Sequence, residues 1–169
     1  MDFYEVLRAR RSIRGFDPER PIPEASLERI MRAVQCAPSA CNRQPWRFEI
    51  IFRRELREAV GRCYPKPWLL EAPAIAVAIG NRESCWHRLE GTPAVEIDLG
   101  IAMEHLVLAA AAEGLGSCWI CAFEKARMNA VMQVEAPWSV EAISPLGYAA
   151  AAPREVQYKS LEELFRVVR

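Results

Sequence analysis

"PAVEIDLGIAMEHLVLAAAAEGLGSCWIC", residues 93–121, reads as one long helix, a glycine stop and a strand. Val95, Leu99, Ala102, Met103, Leu106, Val107 and Ala110 cover most of the circumference of a helix running from Pro93 to Glu113. A helix that is apolar nearly all round belongs in an interior, so this segment is expected in the middle of the fold. Asp98 and Glu104, six apart, do not share a face as a carboxylate pair would. Gly114 and Gly116 end the helix, since glycine accepts the left-handed turn at a helix terminus. "SCWIC" follows as a strand. "GLGSCW" lacks the GxGxxG spacing and follows a helix rather than a strand, so no dinucleotide-binding turn is implied.

Working outward, Phe3, Val6 and Leu7 mark a short helix over 2–10, and Leu27, Ile30, Met31 and Val34 an amphipathic one over 24–36. "WRFEIIF" (46–52) reads as a strand. Leu56, Ala59 and Val60 begin a helix that Pro65 and Pro67 break. "APAIAVAIG" (72–80) is a short continuous apolar run, the mark of a buried strand. Residues 81–92 form a polar loop, 124–132 a helix and "VEAISPLGYA" (140–149) the last strand. Ser160 and Glu163 make a capping box for a terminal helix. The irregular spacing of the strands points to an α+β domain over residues 1–169 with a mixed or antiparallel sheet, rather than a doubly wound one.

The totals exclude several classes. Of 169 residues, 22 are basic and 22 acidic, which argues against a dedicated nucleic-acid binder. No stretch approaches the ~20 apolar residues of a membrane span. "MDFYEVLRARR" carries charge where an export signal needs an apolar run, so a cytoplasmic chain is expected. Cys36, Cys41, Cys63, Cys85, Cys118 and Cys121 are then expected to be reduced, small buried hydrophobes.

Against that neutral balance, "LRARRSIRGF" (7–16) crowds Arg8, Arg10, Arg11 and Arg14 together. Two readings are open: a solvated basic face, or an oxyanion site in which guanidinium forks and the Ser12 hydroxyl take phosphate oxygens. "CAPSACNRQPW" (36–46) is likewise open. Its Pro, Ser and Asn suit turn geometry, while Ser39, Asn42 and Gln44 also suit hydrogen bonding to a polar ring or a sugar-like chain. Cys118 and Cys121 form a CxxC, which elsewhere is a redox pair or half a zinc site. Here it falls in a strand, where alternation sends the two thiols to opposite faces, and no second CxxC completes a metal set. His105 reads as a packed core or interface residue. Trp46 and Trp86 are candidate pocket walls.

Taken in order, "RRSIRGF", "APSACNRQPW", "DLGIAMEHLVLAAAAEGLGSCWI" and "SPLGYA" resemble the FMN-dependent nitroreductase superfamily over residues 3–165. The resemblance implies a nitroreductase-like fold, with a central sheet flanked by helices around a long buried helix, and an intertwined homodimer with two flavins at its interface. It implies FMN as cofactor and NADH or NADPH as electron donor. It also implies ping-pong reduction of nitroaromatics, quinones or similar acceptors, with no side chain needed as acid or base. By similarity, Arg10, Arg11, Ser12 and Arg14 would hold the phosphate and ribityl end of FMN. Pro38, Ser39, Ala40 and Asn42 would line the cofactor from the other subunit. Lys159 would be a late basic residue on the phosphate, with Arg154 as the alternative. A relative specialised for dehalogenation or dehydrogenation, or a non-catalytic phosphate-binding module, is the competing reading.

The chain departs from the family pattern in three places. Cys121 stands where the family often has glycine, at a backbone N–H that contacts the flavin ring. Ala40-Cys41 replaces the usual pair of hydroxyl residues, which puts Cys41 in the substrate pocket. Residues 61–98 are short, so the lid is reduced and Trp86 is left as a pocket residue within it.

Overall fold

The computed structural model describes residues 1–169. Four antiparallel strands form one sheet in the order β1-β2-β4-β3: β1 (Trp46–Ile51), β2 (Ala74–Asn81), β3 (Gly116–Ser117) and β4 (Trp138–Gly147). Seven helices accompany it: α1 (Phe3–Ala9), α2 (Glu24–Gln35), α3 (Arg54–Cys63), α4 (Pro67–Glu71), α5 (Val95–Ala112), α6 (Lys125–Met132) and α7 (Leu161–Leu164). No helix is long and apolar enough to cross a membrane.

Strand β2 explains the layering. It is buried at every position, and successive side chains point to opposite faces. Ile75, Val77 and Ile79 pack with Val60, Met128, Met132, Val140 and Ile143 beneath α3 and α6. Ala74 and Ala76 face the other way, into a core with Ile30, Val34, Ala102, Leu106 and Ala110. This run of small residues lets α5 lie close against the sheet. Gly80 continues it: a Cβ there would meet Val95 Cγ2 at 2.7 Å. One register shift interrupts β2 against β4, where Ala78 pairs with Ala142 and Ile79 with Val140. Glu141 is the extra residue of that bulge, an arrangement that bends a strand and re-aims a side chain.

Helix α5 ends as its glycine foretells. Gly114 has φ +73°, Leu115 N–H donates to Ala110 O at 2.8 Å and Gly114 N–H to Ala111 O at 3.0 Å, the paired bonds of a Schellman stop. Its position is more lopsided than the sequence suggests. One face lies on β2 and α2, but Ile97 is 53% exposed and Ile101, His105, Leu108 and Ala109 are only partly covered. One largely apolar face of α5 is thus left open.

Three further expectations need correction. The strand at "SCWIC" is only Gly116–Ser117 plus an isolated Ile120–Ile143 bridge. The reason is local: Cys118 N–H donates to the Ser144 hydroxyl at 3.2 Å instead of joining the ladder. Pro67 does not simply end helix; it occupies the first turn of α4, where its missing N–H costs nothing. All six cysteines are free, but Cys36, Cys41 and Cys121 are exposed rather than buried.

Candidate functional site

Residues 10–16 run beside the sheet edge. Ile13 N–H donates to Ser117 O at 2.9 Å, and Phe16 bridges to Ala149. Ile13 and Phe16 point into the core, which turns Ser12 and Arg14 outward. The outward groups meet the C-terminal arm. Arg10, Arg11, Ser12 and Arg14 line a cleft of about 330 Å³ with Arg154, Glu155, Val156 and Tyr158. Arg10, Arg11, Arg14 and Arg154 take part in none of the chain's ion pairs. Four cations with Glu155 as the one carboxylate on the cleft wall form a site short of negative charge.

The structure separates the roles of these residues. The Arg11 guanidinium donates to the backbone carbonyl of Arg154 and so ties the arm to the body. Arg154, rather than Lys159, reaches the cleft; Lys159 is exposed outside it. Beneath the cluster lies Cys118. Burial pushes its thiol up, while Arg14, a hydrogen bond with Ser12, and Arg10 pull it part of the way back.

The loop from Pro38 to Gln44 is a separate construction. Cys41, Asn42 and Gln44 have φ of 52°, 51° and 47°, a region that non-glycine residues enter at a cost. The loop's own polar groups hold this shape. Ser39 Oγ accepts the Gln44 N–H at 2.9 Å, and Gln44 Nε2 donates to Asn42 Oδ1 at 3.0 Å. Ala40 N–H donates to Asp98 Oδ1 at 3.0 Å, and Arg43 donates to Cys85 O at 2.8 Å. The Ser39 hydroxyl proton is donated to no group within the chain. Pro38, Cys41 and Asn42 are exposed.

Cys121 lies elsewhere again. With Leu99, Gly100, Met103, Trp119 and Ala142 it lines a cavity of about 310 Å³, rimmed by Glu96, Lys125 and Glu141. The rim is neutralised internally. Arg82 pairs with Glu96 at 2.5 Å, and Lys125 pairs with the buried Glu141. The hydrogen bond from Arg82 holds Glu96 below the usual carboxylate range, against the opposing effect of burial. Neither Cys41 nor Trp86 lines this cavity. Trp86 is half-buried in the expected polar loop, whose far end folds as a short hairpin closed by the His87–Pro93 bridge.

Sequence reasoning overlooked Asp98 and Arg43 as loop anchors. The signal for Asp98 was present: an acid among Val95, Leu99 and Ala102 on the apolar face of the helix needs a partner. His105 is a packing residue, its Nδ1 sharing a hydrogen bond with Ala33 O at 2.9 Å.

Comparison with known proteins decides the family. The nitroreductase family model matches residues 7–67 and 61–148. The chain belongs to the nitroreductase family. A protein of Methanothermobacter thermautotrophicus, provisionally named an NADH dehydrogenase/NAD(P)H nitroreductase, is 30% identical over 161 residues, covering 90% of this chain and 80% of its own. The crystal structure of a nitroreductase family protein from Clostridium novyi NT superposes with a TM-score of 0.82 at 32% identity, over 88% of this chain and 86% of that one. An FMN-dependent nitroreductase from Clostridium difficile R20291 gives 0.75 at 26% identity, over 94% and 92%. This nitroreductase-family chain is an oxidoreductase, and its antiparallel sheet with flanking helices is the family fold.

Proposed function

We propose that this member of the nitroreductase family is an FMN-dependent NAD(P)H oxidoreductase. It works as a two-fold homodimer and reduces nitroaromatics, quinones or similar electron-poor acceptors by ping-pong hydride transfer. The observation that carries the reading is the cleft of Arg10, Ser12, Arg14 and Arg154, whose cations outnumber its one carboxylate and form no ion pair. Those donors fit a phosphate group: guanidinium forks take its oxygens in pairs and the hydroxyl takes one more. FMN, when bound, supplies the hydride- and electron-transfer chemistry.

The remaining residues bind and orient. Arg10, Ser12 and Arg14 hold the phosphate from the body, and Arg154 closes on it from the arm that Arg11 secures. From Ser117, beside the cleft, four residues lead to Cys121, a reach of at most about 14 Å. The Cys121 N–H donates to nothing within the chain and is free for the ring. No side chain is required as acid or base.

Two copies complete the site. The cleft adjoins Ala111 and Gly114 through Arg10 and Arg11, whereas the 38–44 loop hangs from Asp98. Thirteen residues of helix separate those ends, about 20 Å at 1.5 Å per residue. The loop and the phosphate cleft of one chain are therefore held at opposite ends of α5. Two copies packed antiparallel along the open faces of α5 bring the loop of each to the cleft of the other, as a two-fold interface requires. The C-terminal arm supports the same assembly: Tyr158, Leu161, Leu164, Phe165 and Val168 are 55–79% exposed, and apolar side chains in such a run need a cover.

Steady-state oxidation of NADH and NADPH by the FMN-loaded protein, with a nitroaromatic and a quinone as acceptors, tests this. Parallel double-reciprocal lines are expected. A folded, FMN-loaded protein that turns over no acceptor with either donor would sink the proposal.

A further inference from the structure

Asp98 holds the only buried side-chain oxygen or nitrogen in the chain without a partner. It is 3% exposed in the first turn of α5. One carboxylate oxygen accepts the Ala40 N–H at 3.0 Å; the other accepts nothing. A buried carboxylate oxygen with no donor is destabilising.

What the carboxylate secures is a loop under strain. Cys41, Asn42 and Gln44 are all left-handed and none is glycine. Most of the bonds in the loop are local. Gln44 N–H to Ser39 Oγ, Gln44 Nε2 to Asn42, Asn42 N–H to Ser39 O, Arg43 N–H to Ala40 O and Trp46 N–H to Gln44 O hold its shape. They do not place it. At the loop's exit into β1, Pro45 O accepts the Asn81 N–H at 2.8 Å; two further bonds, from residues 39–44, reach the rest of the protein. One is made by the long, exposed Arg43 side chain to Cys85 O in the hairpin. The other joins the Ala40 backbone to Asp98, on the longest and best-buried helix. Strain held in place by its surroundings is the arrangement found where a site is prepared for a ligand.

We infer that Asp98 is a positioning residue for the cofactor: it fixes the 38–44 loop to α5 at the cost of its own unpaired oxygen, and through that loop sets the affinity for FMN. The inference rests on the reading that this loop lines the flavin. It separates two properties that a structural residue would couple. Removing Asp98 loosens the loop and weakens FMN binding without lowering the stability of the FMN-free protein.

Three measurements on the full chain test it: amide hydrogen exchange over residues 38–45 without FMN, the melting temperature without FMN, and the FMN dissociation constant by flavin fluorescence. Asp98→Ala is expected to speed exchange in the loop about tenfold or more while leaving α5 and β2 unchanged. Its melting temperature stays level or rises, and its FMN dissociation constant rises at least about tenfold. Asp98→Asn keeps an oxygen for the Ala40 N–H and restores both loop protection and affinity. Ala40→Pro removes the donor from the other side, after a Ser39 already extended at φ −142° and ψ 161° as a residue before proline must be. It is expected to reproduce the Asp98→Ala losses, so the inference stays open to refutation if Asp98→Ala does not fold. Unchanged loop exchange in Asp98→Ala, or a loosened loop with unchanged FMN affinity, overturns the inference. A wild-type protein that binds no FMN removes the cofactor reading itself, whereas normal wild-type binding with an indifferent alanine variant removes only the part given to Asp98.

Discussion

Arg11 donates its guanidinium to the backbone carbonyl of Arg154, 143 positions further along the chain. This contact divides the arginine cluster. Arg11 holds the C-terminal arm, while Arg10 and Arg14 are unpaired and are the two body arginines that the proposed function assigns to a phosphate. Arg10→Ala and Arg14→Ala are each expected to weaken FMN binding by about 1.5–3 kcal/mol, roughly 10- to 150-fold. Melting temperatures without FMN should barely move, since neither side chain is paired. Flavin fluorescence titration of both variants checks this, and unchanged affinity in both removes the phosphate assignment.

The arm itself is open to test. Leu161 and Leu164 are 70% and 55% exposed, so charging them leaves the single chain intact. Covering each would contribute about 1.5–3 kcal/mol to an assembly. Leu161→Glu with Leu164→Glu is expected to shift sedimentation from dimer toward monomer at micromolar protein. A double variant that sediments like the wild type places the interface elsewhere.

The close seat of α5 on β2 has a measurable cost attached. Gly80→Ala drives a Cβ to 2.7 Å from Val95 Cγ2, and overpacking of this kind costs about 1–3 kcal/mol. Thermal unfolding should shift down by roughly 2–4 °C for each kcal/mol. An unshifted transition would mean that the sheet and helix have slack between them.

Cys118 gives the fold a pH dependence of known sign. Burial raises its thiol above the ordinary value of 9.0, so the folded chain keeps a proton that the unfolded chain releases. The unfolded state is therefore favoured as pH rises through 9 toward the folded-state value. Urea midpoints measured from pH 7 to pH 10 should fall more steeply for the wild type than for Cys118→Ala. Arg14→Ala, which removes a charge that favours the thiolate, should deepen the wild-type fall. Parallel curves for wild type and Cys118→Ala would contradict the burial argument.

Much of this architecture was legible because it rests on local chemistry. The apolar run of β2, the glycine stop at Gly114 and the capping box of Ser160 with Glu163 are each read from a few adjacent residues, and each stands in the structure. What stayed hidden depends on distant partners. Nothing near Cys118 in sequence announces that the Ser144 hydroxyl takes its N–H and stops β3 short. Nothing near Arg11 announces the Arg154 carbonyl. The arm's path brings Arg154 and not Lys159 to the cleft, and no periodicity encodes that path. Asp98 was visible as an acid on an apolar helix, but its partner, an N–H in a loop 58 positions earlier, was not.

In the proposed function, the unpaired arginines of residues 10–14 and Arg154 serve a flavin phosphate. The most direct measurement is the absorbance spectrum of the purified protein after incubation with FMN and desalting. A retained band at about 450 nm amounting to about one FMN per chain is expected, as is its loss in the Arg10→Ala, Arg14→Ala double variant. A folded wild-type protein that emerges colourless would contradict it.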